Sequence, residues 1–145
     1  MDTSIDWACV RDEVTGYLQD LIRIDTTNPP GNETLAAGYI ANVLEREGFR
    51  TVQTESAPGR GNVTTRLAGG GQEPLLLLGH TDVVAVDASR WTHEPFSGAL
   101  VDGFVWGRGA LDTKNMVAVE LMVMLLLKRT GARPDCDVYL CCHGR

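Results

Sequence analysis

Three residues in this sequence have the types and spacing to handle a metal ion: His80, Asp82 and Asp112. A neutral imidazole is a good zinc ligand, and a metal-bound histidine usually donates its other ring N–H to a carboxylate that fixes its tautomer. His80 and Asp82 follow the apolar run Leu75–Leu78, and residues two apart in a strand project to the same side. Asp82 is thus placed to orient His80. A plain His–Asp hydrogen bond that satisfies two polar groups at a strand end is the simpler alternative, and this pair alone leaves it open. Asp112 stands in Gly107-Arg108-Gly109-Ala110-Leu111-Asp112-Thr113-Lys114, where a helix begins. Exposed N–H groups and the helix dipole favour a carboxylate there, so capping is one reading of it. The other is metal binding, because its two oxygens can each take one ion of a pair about 3.5–4 Å apart.

The elements that must position these residues alternate between helix and strand. Val10, Val14, Tyr17, Leu18, Leu21 and Ile22 recur at spacings of three and four, which predicts an amphipathic helix from about Asp6 to Ile24. Asn28-Pro29-Pro30-Gly31 ends it as a loop, since proline removes a donor and forces its predecessor into an extended conformation. Asn32 is placed to cap a second helix, stopped by Gly48. Phe49–Thr54 and Asn62–Leu67 read as strands bounded by Pro58-Gly59 and the triplet Gly69-Gly70-Gly71. The triplet reads as a turn, not a phosphate loop, because no helix opens after it.

Leu75–Leu78 has the continuous apolar character of a central strand covered on both faces, and the C-terminal end of such a strand is where open α/β sheets place ligands. Asp102-Gly103, flanked by Leu100-Val101 and Phe104-Val105, predicts a hairpin. A helix over Thr113–Thr130 and a strand over Asp137–Cys142 complete an α/β pattern, expected as three layers with a mostly parallel sheet flanked by helices. If nothing pairs beyond it, that last strand is an exposed edge, and the isolated chain is expected to aggregate or need a partner.

At 145 residues the chain is long enough for one domain with a real core. The net charge of -6, without a basic run, excludes the electrostatic footprint of a nucleic-acid or anionic-membrane binder. Met1–Asp6 is polar and acidic, unlike a secretory leader, so a cytoplasmic address is expected. Cys9, Cys136, Cys141 and Cys142 lack any C-x-x-C spacing and read as ordinary buried thiols.

Gly79-His80-Thr81-Asp82-Val83-Val84, then Trp91 with Pro95-Phe96, then Gly107-Arg108-Gly109-Ala110 with Asp112-Thr113-Lys114, occur in one order. Together with Asp25-Thr26-Thr27-Asn28-Pro29-Pro30-Gly31 they resemble the zinc-dependent family of aminoacylase, acetylornithine deacetylase, succinyl-diaminopimelate desuccinylase and carboxypeptidase G. The likeness runs from about Val10 to Cys142.

The resemblance implies a metal-dependent hydrolase cleaving an amide bond of N-acyl amino acids or peptides, with two zinc ions (cobalt or manganese being alternatives). It implies that His80 binds one zinc, Asp112 bridges both, and Asp82 serves catalysis by orienting His80. Trp91, Pro95 and Phe96 read as packing in preference to substrate contacts, and Arg108 and Lys114, which could pair with carboxylates beside the aspartate, as solvated charges. Residues 1–145 would be the N-terminal part of the catalytic domain, without the family's lid or dimerisation domain.

The family's adjacent glutamates, one a general base and one a ligand, have no counterpart in Cys142-His143-Gly144-Arg145. His143 matches no family motif. On this reading the chain alone is inactive. Other readings are one half of a split enzyme needing a complementing chain, a homo-oligomer, or a non-catalytic binding domain; a shifted frame near Cys141 would account for the departure.

Overall fold

The structure is a computed structural model and describes residues 5–144. Helix α1, Trp7–Arg23, is capped by Asp6, whose carboxylate accepts from the backbone N–H groups of Ala8 and Cys9. Helix α2 spans Glu33–Arg46 and helix α3 Lys114–Arg129. Asn32 holds the N-cap position of α2 without a side-chain cap bond, while Gly48, at φ 78°, makes the left-handed stop expected of it.

Strands β1 (Thr51–Glu55), β2 (Gly61–Leu67), β3 (Gln72–His80) and β6 (Cys136–His143) form one sheet in the order β1-β2-β6-β3. Strands β4 (Ala99–Val101) and β5 (Phe104–Trp106) form the expected hairpin, with Asp102 and Gly103 at φ 52° and 82° in its turn.

The α/β class stands, and three details of the expected sheet change. The sheet is mixed: β3 pairs with β6 in parallel, whereas β1 with β2 and β2 with β6 are antiparallel. Strand β3, expected at the centre, lies at the edge. Strand β6, expected at the edge, is the interior strand between β2 and β3. Periodicity within a strand reports which faces are apolar and carries no information on the neighbour, which explains both exchanges.

One face of the sheet meets the helices. Val63 of β2 and Val138, Leu140 and Cys142 of β6 are buried with Ile40 and Leu44 of α2 and Val117, Leu121 and Leu125 of α3. Helix α1 adds Leu21 from above α3. On the opposite face Val52, Leu76, Leu78 and Tyr139 are exposed, so the described residues form two of the three expected layers. No helix among them is long and apolar enough to cross a membrane.

Candidate metal centre

Strand β3 ends at His80, and the chain continues through the buried Thr81, Asp82 and Val83. This segment is stitched to the Thr-Thr-Asn-Pro loop. Thr26 donates its hydroxyl to Thr81 O at 2.5 Å, Val83 N–H to Thr26 O at 3.1 Å, and Asn28 N–H to Val83 O at 2.9 Å. Thr81 N–H reaches His143 O at 2.8 Å, which ties the segment to β6 as well.

The loop before α3 brings Asp112 to the same place. Gly109, at φ 86°, is required there twice over, because a Cβ would also stand 2.8 Å from Val83 Cγ1. Thr113, not Asp112, occupies the N-cap position of α3, and Asp112 Oδ1 lies 3.0 Å from His80 Nε2. On the other side of the ring, His80 Nδ1 is 3.1 Å from the Asp82 carbonyl and 3.2 Å from Asp82 Oδ1. All three residues singled out from the sequence therefore meet.

The imidazole has acceptors against both nitrogens, yet a neutral ring carries one N–H. When Nδ1–H serves Asp82, the lone pair of Nε2 faces the Asp112 carboxylate, an arrangement relieved by a second proton or by a cation shared between them. The donor set, one imidazole nitrogen and one exposed carboxylate, suits a divalent ion. Among the described residues no group of three or more His, Cys, Asp or Glu side chains is arranged to hold a metal.

Behind Asp82 stands a polar chain that sequence reasoning did not find. Asn28 Nδ2 lies 3.5 Å from Asp82 Oδ2, at the limit of hydrogen bonding, and Arg60 Nη1 donates to Asn28 Oδ1 at 3.1 Å. Arg60 Nε in turn is 2.9 Å from Oε2 of the fully buried Glu33, an ion pair whose N–H is not aligned for a hydrogen bond. The Asn-Pro-Pro-Gly signature marked Asn28; nothing marked Arg60 or Glu33.

Lys114 departs from its expected solvated role. It is fully buried, and its Nζ donates to Leu21 O and Ile24 O, each at 2.8 Å, closing the carbonyl end of α1. Burial pulls its pKa down to about 8, against a raising influence from Asp25.

An imidazole and a carboxylate from distant segments thus converge at the rim of an α/β sheet. Residues 76–144 match the family model described as peptidase family M20/M25/M40. That match covers just under half of the chain, and curated relatives extend the likeness. It is 40% identical over 119 residues to a succinyl-diaminopimelate desuccinylase of Methylobacterium radiotolerans, covering 79% of this chain and 30% of that protein. With the desuccinylase of Paracoccus denitrificans it shares 36% identity over 127 residues, covering 86% of this chain and 32% of the relative. The chain thus spans about three tenths of the length of these curated relatives.

Solved structures share the fold. A family M20 metallo-carboxypeptidase from Sulfolobus solfataricus superposes with a TM-score of 0.81 at 24% identity, over 92% of this chain and 31% of that one. Human carnosine dipeptidase 1 superposes with a TM-score of 0.77 at 20% identity, over 94% of this chain and 32% of that one.

Proposed function

We propose that this chain is the metal-binding N-terminal portion of a hydrolase that cleaves the amide bond of N-acyl amino acids or peptides. The curated relatives named as desuccinylases support an acyl-amino-acid substrate, and the family match supports metal dependence. The observation that carries the reading is the 3.0 Å approach of His80 Nε2 to Asp112 Oδ1, with Asp82 against the other ring nitrogen.

In this proposal His80 and Asp112 hold the ion, zinc by family and cobalt or manganese by donor chemistry. An ion held there would supply Lewis acidity and a more acidic bound water. Asp82 holds the Nδ1 proton, leaving Nε2 free to coordinate. His80 and Asp112 give two protein ligands where a zinc site normally takes three or four, and among the described residues no group of three or more His, Cys, Asp or Glu side chains is arranged to complete it. Residues 1–145 alone are therefore proposed to bind metal weakly and to turn over no substrate, with the remaining ligands supplied by further sequence or a complementing chain.

Zinc titration of the purified chain tests the site: binding that disappears in both His80→Ala and Asp112→Ala supports it, and binding unchanged in either removes that residue from the ligand set. Amine release from N-succinyl and N-acetyl amino acids tests the second point. Turnover by the unaccompanied chain that His80→Ala abolishes would show that the site is complete without added ligands.

A further inference from the structure

Beside Asp112 lies a cavity of about 290 Å³ bounded by Trp91, Val105, Trp106 and the segment Gly107–Leu111. This is just under the usual lower size of a small-molecule site, so it suits one functional group with a short apolar arm, not a whole peptide. Its walls are aromatic, with His93 edge-on to Trp106 at 4.8 Å.

Arg108 supplies the only charge in its lining besides Asp112. The guanidinium lies over the Trp91 ring, its central carbon 5.2 Å from the centroid. Its Nε is buried and has no hydrogen-bond partner among the described residues, and no carboxylate there lies within ion-pair distance of Arg108.

This sets Arg108 apart from the other described arginines. Arg11, Arg23, Arg60, Arg66 and Arg129 have carboxylate partners. Arg46, Arg50, Arg90 and Arg133 have none and are solvent-exposed. Among the described arginines, Arg108 alone is drawn in from solvent without a counter-charge. The ring face offsets part of the cost of removing the cation from water. It leaves Nε without an acceptor, and a guanidinium edge matches a carboxylate.

We infer that the Trp91–Arg108 cavity is a carboxylate subsite: Arg108 takes the carboxylate of a small acid, and the adjoining carbons lie against Trp91 and Trp106. The inference rests on the proposed function only in placing the reacting bond beside Asp112. Binding at Arg108 requires no metal.

The test is therefore run on the full chain with a chelator present. Propionate is titrated in, with propionamide as its uncharged counterpart, while the Arg108 Nε–H resonance and tryptophan fluorescence are followed. Propionate is expected to move the Nε–H signal saturably, and propionamide to bind at least about tenfold more weakly. Arg108→Gln should weaken propionate binding by about tenfold or more, and Arg108→Lys by less.

An Nε–H signal in the wild-type chain that propionate does not move, or equal affinity for acid and amide, would overturn the assignment without reliance on any variant. Unchanged affinity in folded Arg108→Gln would overturn it as well. Loss of zinc binding with propionate binding retained would refute the metal reading and leave this one standing.

Discussion

His80 Nε2 and Asp112 Oδ1 lie 3.0 Å apart although 32 positions of chain separate them. The ring is turned to present that nitrogen because Asp82 occupies the other one. Under the proposed function, Asp82→Asn keeps the shape and loses the charge that fixes the Nδ1 proton. Zinc affinity should then fall by about 10- to 100-fold, measured by competition with a chromophoric chelator. An unchanged affinity would leave Asp82 without its assigned role.

Lys114 is expected to stabilise the fold without touching the metal. In Lys114→Met the carbonyls of Leu21 and Ile24 lose their donor, and the loss should be about 1–3 kcal/mol in denaturant unfolding. The pH dependence follows from the lowered pKa. The folded state releases the Lys114 proton near pH 8, and the unfolded chain near its ordinary value of 10.5. Between these the unfolded state binds more protons, so stability relative to Lys114→Met should rise with pH over that window and be flat below it. A difference that falls across the window would contradict the placement of the ammonium.

Glu33 and Arg60 form the buried end of the chain of contacts that reaches Asp82 through Asn28. Arg60→Met leaves a fully buried carboxylate without its counter-charge and should cost about 3–5 kcal/mol. Glu33→Leu combined with Arg60→Met removes both charges and should cost less than Arg60→Met alone, a non-additivity read from a double-mutant cycle. Strict additivity would mean that the 2.9 Å contact carries no coupling.

The local features of this protein were legible in its sequence. Helix α1 follows from apolar spacing, and the β4–β5 turn from Asp102-Gly103, because each is decided by neighbours a few positions away. His80, Asp82 and Asp112 were also legible as a set, although their convergence depends on the fold. What was hidden is non-local. The insertion of β6 between β2 and β3 is a choice of partner that no single strand encodes. Lys114 looked like a loop charge because the carbonyls that bury it lie 90 or more positions earlier, at the end of α1. Arg60 was invisible for the same reason, since its partner Glu33 reads as an ordinary first-turn glutamate of α2.

The uncovered face of the sheet gives the last prediction. Leu76 pairs in register with Tyr139 and Leu78 with Cys141; Cys141 in turn meets Thr64, and Thr64 meets Val52. These residues share one face, and Val52, Leu76 and Leu78 are 60%, 55% and 54% exposed. Strand β3 is also an edge, so its outer backbone groups stand beside that apolar surface, a combination that templates association with another chain. The isolated chain should therefore self-associate reversibly in sedimentation velocity. Replacing both Leu76 and Leu78 by Lys should shift it toward monomer while changing unfolding stability by about 1 kcal/mol or less, because neither side chain packs in the core. A wild-type chain that stays monomeric as its concentration is raised would show that this surface is tolerated by water.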